Sequence, residues 1–349
     1  MRNFLKSVFG NSKPKQLRIL PQDVTIELGQ GQTLLEAALA NGIAYPHDCT
    51  VGTCASCKTR LKEGRVREAT PFGYTLSKEE LEAGYILACQ AFPRDELTVV
   101  EIEPATTCLI PAQKYVANIV ATESLTHDIL KVTVKTDRPV NYAAGQYANL
   151  HKAGASRARS YSFANAPQRK GRTTVDFYIR KVPGGEFTET LFNGELNGMQ
   201  IEMEAPLGTF HLRSGDAPMV CVAGGSGLAP LMSMLEYARV NRIKRDCTLL
   251  FGARTQADLY QLDAIQDIAN NWQGDFRFIP VLSHEPVDSD WRGARGLVTD
   301  HIAGGACDGA EGYLCGPPLM IDAAITTLAR HGIPVNRVFY DKFTDSRDR

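Results

Sequence analysis

Four cysteines carry the strongest chemical signal in the sequence. Cys49, Cys54 and Cys57 stand in the spacing C-x4-C-x2-C, and Cys89 follows after a further 31 residues. Three thiolates from one tight loop and a fourth from a distant point suit a plant-type 2Fe–2S cluster, in which each iron takes two cysteine sulfurs. The loop itself, with Thr50, Gly52, Thr53 and Ser56, is built of small and hydroxyl residues. These let backbone N–H groups approach the sulfur atoms and stabilise their charge. Zinc fits less well, since structural zinc usually draws on two separated C-x2-C or Cys/His pairs and only Cys54/Cys57 form one. A thioredoxin-like pair leaves Cys49 unexplained. A Rieske centre needs two histidines, and His47 is the only one near the loop.

A second signal is the run Gly224, Gly225, Ser226, Gly227, Leu228, Ala229, Pro230, directly after the apolar stretch 219–223. Glycines let a backbone approach a pyrophosphate, and a following helix offers N–H donors and a favourable dipole. The run is not G-x-G-x-x-G, and a ligand-free βα turn is the plain alternative. Its place after the first strand of an alternating β/α pattern favours the nucleotide. A third signal joins Arg159, Tyr161 and Ser162 with the Gly185, Phe187, Thr188 segment that opens a short helix over 187–192. A cation, an aromatic face, a hydroxyl and a phosphate-facing turn together meet the needs of a flavin nucleotide.

The elements that must hold these groups fall into three modules. Residues 17–103 read as strand, strand, helix (33–41, with Gly42 after its end), cluster loop and strands, closing on a strand at 97–102. After a proline-containing link at 104–113, six short β segments follow at 115–122, 129–135, 146–151, 159–163, 174–180 and 200–205. With little helix between them, they predict an antiparallel barrel over 114–213. From 214 to 349, buried-type strands at 219–223, 248–252, 278–282, 312–315 and 338–340 alternate with helical stretches. That predicts a Rossmann-like parallel sheet.

Composition is that of a globular protein, 44% hydrophobic and 22% charged over 349 residues. No apolar run approaches a membrane span and no signal peptide is evident. Thiolate cluster ligands and five scattered cysteines, Cys108, Cys221, Cys247, Cys307 and Cys315, point to a reducing cytoplasm. Residues 1–16 form a tail with four basic and no acidic side chains. Its Phe4, Leu5, Val8 and Phe9 suit weak contact with an anionic membrane surface, though a frayed terminus explains it as well. Residues 17–104 hold 8 basic and 13 acidic side chains, while the remaining 245 balance at 26 each. An acidic cluster module suits a partner with a basic face, or simply solubility.

The four cysteines, Arg159 to Ser162, Gly224 to Pro230 and Cys315-Gly316-Pro317-Pro318, in that order, resemble the ferredoxin–NAD(P)H reductase components of bacterial multicomponent oxygenases. Within that family the likeness is to the xylene-monooxygenase type, and it covers residues 17–343. The resemblance implies a β-grasp ferredoxin domain, an FAD-binding barrel and an NAD-binding domain. It further implies electron transfer from NADH through FAD and the cluster to a terminal oxygenase of membrane di-iron or Rieske type. Arg159 would hold an FAD phosphate, Tyr161 would pack on the isoalloxazine and Ser162 would bond near its N5. Tyr178 and Arg180 are further cofactor-binding candidates, and Gly185, Phe187 and Thr188 would lie at the pyrophosphate. Gly224–Pro230, Arg254, Gly316 and Pro317 would receive the nicotinamide nucleotide. Cys315 would lie near the reacting carbons, and Phe343 would cover the flavin until nicotinamide displaces it. The family often has Glu before its Lys-Phe pair, where this chain has Asp341. Thr255, Gln256 and Asp258, in place of a Ser-Arg pair for a 2′-phosphate, favour NADH over NADPH, with Arg254 cutting the other way. A stand-alone flavin or ferric reductase and a non-enzymatic electron carrier are the alternatives. The chain has no paired Glu-x-x-His set that would make it the oxygenase itself.

Overall fold

A computed structural model describes residues 14–43, 45–47, 52, 56–76, 78–102, 110–152 and 158–343. The chain divides into two compact units, one reaching to Ala112 and one from Gln113 onward.

In the first unit, β1 (Lys15–Leu20) and β2 (Val24–Leu28) form a hairpin, followed by helix α1 (Leu34–Ala40). The helix starts because Thr33 and Glu36 cap it reciprocally. The Thr33 Oγ1 accepts the Glu36 N–H at 3.2 Å and the Glu36 carboxylate accepts the Thr33 N–H at 2.8 Å. It ends at Gly42, whose φ of +70° is the left-handed conformation that favours glycine. Then come β3 (Lys58–Glu63), β4 (Val66–Glu68), the short helix α2 (Lys78–Glu82), β5 (Tyr85–Leu87), β6 (Ala91–Pro93) and β7 (Leu97–Glu101). The main sheet runs β2-β1-β7-β3-β5, with β1 and β7 parallel at its centre. Leu17, Ile19, Ile26 and Leu28 from the sheet bury against Leu34, Leu35 and Ala38 of α1. One helix laid across a mixed sheet is the expected β-grasp. The acidic helix α2 is an addition to the sequence reading.

The second unit begins with β8 (Gln113–Ser124), β9 (Ile129–Val140), β10 (Tyr147–Lys152), β11 (Arg159–Ser162) and β12 (Arg172–Arg180). Helix α3 (Glu186–Phe192) and β13 (Gln200–Leu207) follow. The strands order as β11-β10-β13-β8-β9-β12, all antiparallel. A bridge between Phe163 and Phe177, with the Ala164 N–H donating to the Asp176 carbonyl at 2.7 Å, joins the first and last strands and closes the barrel.

The remainder is a parallel sheet. Strands β14 (Met219–Gly224), β15 (Cys247–Ala253), β16 (Phe276–Leu282), β17 (Ala294–Arg295), β18 (Glu311–Gly316) and β19 (Val338–Lys342) order as β17-β16-β15-β14-β18-β19. Helices α4 (Leu228–Val240), α5 (Leu262–Asn270) and α6 (Pro318–Arg330) connect them. The order reverses between β14 and β18, which opens a crevice at their carboxyl ends. Barrel and sheet share one core, in which Ala144, Ala164, Tyr178 and Phe210 pack with Met219, Cys221, Leu228 and Leu235.

Candidate functional site

At the cluster loop, Cys49 and Cys54 lie outside the described residues. Cys57 and Cys89 are both buried. Cys57 immediately precedes β3, and Cys89 sits in a 3-10 turn, Ala88–Gln90. The Ala88 N–H donates to the Cys57 carbonyl at 3.1 Å, drawing the two segments together. The Cys89 N–H then lies 3.5 Å from the Cys57 Sγ, and the Gln90 Nε2 lies 3.7 Å from the Cys89 Sγ. Donors aimed at sulfur favour thiolates. Gly52, at φ +87°, sits in a conformation that strains any other residue, and a Cβ there would press on the Gln90 side chain at 2.7 Å. Sulfur ligands with N–H donors around them fit a 2Fe–2S cluster.

In the barrel, β11 brings together Arg159, Tyr161 and Ser162. Arg159 is exposed at the strand's start, with its guanidinium 3.1 Å from the Ala158 carbonyl. Tyr161 packs on Phe187 of α3, ring centres 5.6 Å apart, and burial pushes its hydroxyl pKa up against the opposing effect of Arg159. Ser162 is 3% exposed, yet its Oγ finds no hydrogen-bond partner among the described residues. A buried hydroxyl left unpaired costs roughly 1–3 kcal/mol, so the barrel holds a donor for something it does not itself contain. That fits a flavin ring. Gly185 is the N-cap of α3, and the Thr188 hydroxyl is engaged with the Val182 N–H at 3.1 Å, which shapes the turn. Phe187 is buried in the barrel core.

The crevice of the parallel sheet is a cavity of about 220 Å³ lined by Arg180, Gly224, Gly225, Arg254 and Pro317 among others. Gly225 has φ +55°, and Gly225 to Gly227 make a 3-10 turn into α4. Among the described residues no side chain caps α4; the Leu228 N–H turns back to the Gly225 carbonyl and Pro230 has no N–H, so what the turn can offer a ligand is the backbone of the glycine run itself. A Cβ on Gly227 would stand 2.3 Å from the Cys315 carbonyl oxygen, so glycine lets the turn lie against the end of β18. Ser226 is half-buried at the turn. The side chains of Leu228, Ala229 and Pro230 point inward and are buried, so what this part of the motif gives the crevice is backbone. Cys315 is fully buried in register with Ala223 and Asp341. Burial first, then Asp341, pushes its thiol well above the usual value, so it is a neutral thiol. Gly316 accepts the Phe343 N–H at 2.9 Å, placing the half-buried Phe343 ring against the core shared by barrel and sheet. Tyr178 meets that core too, and Arg180 is held by Asp128 at 2.7 Å.

The sequence reading missed several groups. Asp128 fixes Arg180, and His127 lies 3.5 Å from Asp258. Glu285 and Asp290 accept from the Gln256 side chain at 2.8 and 2.9 Å. None of these belongs to a periodic or glycine-rich pattern, so nothing in the sequence singles them out.

A flavin-accepting barrel and a dinucleotide crevice in one unit, on a chain that also carries a cluster-binding β-grasp, define an iron–sulfur flavoprotein oxidoreductase. The 2Fe-2S iron-sulfur cluster binding domain matches residues 17–94, the oxidoreductase FAD-binding domain residues 116–212 and the oxidoreductase NAD-binding domain residues 221–326. The chain is 41% identical over 347 residues to the xylene/toluene monooxygenase electron transfer component of Pseudomonas putida, covering 98% of both. It is 35% identical to the phenol 2-monooxygenase reductase component of Pseudomonas sp. (strain CF600), covering 95% of this chain and 94% of the relative. The solved structure of the Amycolatopsis cytochrome P450 reductase superposes with a TM-score of 0.80 at 34% identity, covering 95% and 99%. The chain belongs to the reductase components of multicomponent monooxygenases. Among the described residues, no helix is long and apolar enough to cross a membrane.

Proposed function

We propose that the protein oxidises NADH and delivers the electrons one at a time to a separate oxygenase component that hydroxylates an aromatic hydrocarbon. The observation that carries this reading is the unpaired Ser162 hydroxyl in a barrel that shares its core with the glycine crevice. When bound, FAD supplies the change from a two-electron hydride donor to a one-electron cluster acceptor. The chain's own residues orient the partners of that exchange. Ser162 donates to the ring, Tyr161 covers one face, Arg159 and the Gly185 turn meet the phosphates, and Tyr178 with Arg180 borders the nicotinamide side. Gly224 to Gly227, Arg254, Gly316 and Pro317 form the dinucleotide seat. Cys315 and Phe343 exclude water where nicotinamide stacks. Cys49, Cys54, Cys57 and Cys89 are the cluster ligands.

NADH is favoured over NADPH by charge. Asp258 accepts from the Thr255 N–H and hydroxyl at 2.9 and 3.0 Å, and Glu285 and Asp290 crowd Gln256. Three carboxylates there repel a 2′-phosphate, opposed by the exposed cation of Arg254. The aromatic hydrocarbon substrate is supported by the Pseudomonas putida relative. That likeness also favours a membrane-bound hydroxylase over a Rieske dioxygenase as partner, with the reductase itself in the cytoplasm.

The test is reconstitution with candidate oxygenase components, reading product formed per NADH consumed. Hydroxylation that requires this chain and runs on NADH far better than NADPH is expected. NADH oxidation that no oxygenase couples to product would leave a stand-alone flavin reductase.

A further inference from the structure

Tyr260 ends the segment read for cofactor choice and has no role of its own in the sequence, yet it meets two of the motifs. It is 4% exposed, and its ring stands edge-on to Phe251 of β15 and to Tyr178 of the barrel, with both ring centres 5.5 Å away. Its hydroxyl donates to the Gly225 carbonyl at 2.9 Å. Burial pushes that hydroxyl well above the usual tyrosine value, so it remains a donor at any working pH. The next residue, Gln261, has φ +59°, a conformation that costs a non-glycine residue roughly 1–2 kcal/mol. The chain thus accepts local strain immediately after the point where it delivers this ring.

The bond acts on a peptide that sterics alone leave free to turn. Gly225 is flanked by Gly224 and Ser226, and glycine neighbours allow the intervening peptide planes to turn at little steric cost. The C=O of Gly225 and the N–H of Ser226 belong to one trans peptide and point in opposite directions. Anchoring the carbonyl toward Tyr260 therefore turns the Ser226 N–H away from Tyr260. The Leu228 N–H also donates to Gly225 O, so the carbonyl is held from two sides and cannot swing toward an approaching anion.

We propose that Tyr260 is a positioning residue of the nicotinamide nucleotide site, fixing the Gly225–Ser226 peptide so that its N–H, not its carbonyl, meets the pyrophosphate. The inference rests on the dinucleotide reading of the crevice given above. Because the same ring packs on Tyr178, the glycine turn is registered directly to the flavin-side wall of the barrel.

Tyr260→Phe keeps the ring and removes one oxygen. Inhibition constants against NADH, with ferricyanide as acceptor, are measured for ADP-ribose, which carries the pyrophosphate, and for adenosine, which does not. ADP-ribose should bind the variant about fivefold more weakly, the scale of one buried hydrogen bond. Adenosine binding, FAD content and kcat should stay within twofold. Phe251→Leu, which loosens the ring but keeps the hydroxyl, should lower the melting temperature and leave ADP-ribose inhibition unchanged. Equal ADP-ribose inhibition in wild type and Tyr260→Phe would overturn the proposal. So would a matching loss for adenosine, or the same loss in Phe251→Leu. A wild-type protein that ADP-ribose does not inhibit would instead remove the dinucleotide reading itself.

Discussion

The barrel and the parallel sheet prepare their sites by opposite means. The barrel uses side chains at strand positions: a cation at Arg159, a ring at Tyr161 and an unpaired buried hydroxyl at Ser162. The sheet uses backbone, with a glycine turn lying against Cys315 and an uncapped helix start behind it. A side-chain site tolerates substitution at the scale of one hydrogen bond. A backbone site built on close approach fails where an added Cβ would meet backbone, as at Gly227.

The sharpest way to break this contrast is Gly227→Ala. The new Cβ would meet the carbonyl oxygen and carbon of Cys315 at 2.3 and 2.5 Å and the Gly316 N at 2.8 Å. All three are backbone atoms, so β18 must shift. A loss of NADH-dependent ferricyanide reduction of about a hundredfold or more is expected, with destabilisation of roughly 1–3 kcal/mol. Near-normal turnover would mean that the close approach is not needed.

Ser162→Ala is the barrel's counterpart. It removes a buried hydroxyl that has no partner among the described residues, so the flavin-free protein should be as stable as wild type or slightly more so. Flavin reduction followed by stopped flow should fall about tenfold. A drop in the melting temperature of the flavin-free form would show that the hydroxyl serves the fold instead.

The smallest effect falls on the joint between the two regions. The Leu212 N–H reaches the Ala144 carbonyl at 3.0 Å, and beside it His211 is held down to about 4 by burial first and by Arg213 second. Folded His211 is therefore neutral at a pH where the unfolded chain, with a value of about 6.5, is protonated. The unfolded state binds the extra proton, so stability falls as pH drops from about 6.5 toward about 4. At pH 5.5 this amounts to roughly 1 kcal/mol, a few degrees of melting temperature. His211→Gln should flatten that slope.

Legibility followed the same division. The six barrel strands and five of the six parallel strands declare themselves through alternation or apolar runs. The exception, Ala294–Arg295, is two residues long and sits among Trp291, Arg292, Gly293 and Gly296, where no periodicity can register. α2 is five residues and strongly acidic, so it offers no apolar stripe. Motif residues are neighbours in sequence but not in direction, which is why Leu228 and Ala229 turn into the core while Gly224 and Gly225 border the crevice. Tyr260, Asp128 and Glu285 act through contacts made only on folding, and a lone residue of common type carries no spacing to notice.

Whether one chain carries the whole relay is decided by an anaerobic NADH titration followed by absorption and EPR. Uptake of about three electrons per chain, with flavin bleaching and a reduced 2Fe–2S signal, is the predicted result. Flavin bleaching with a silent cluster would contradict it and leave a two-electron flavin reductase.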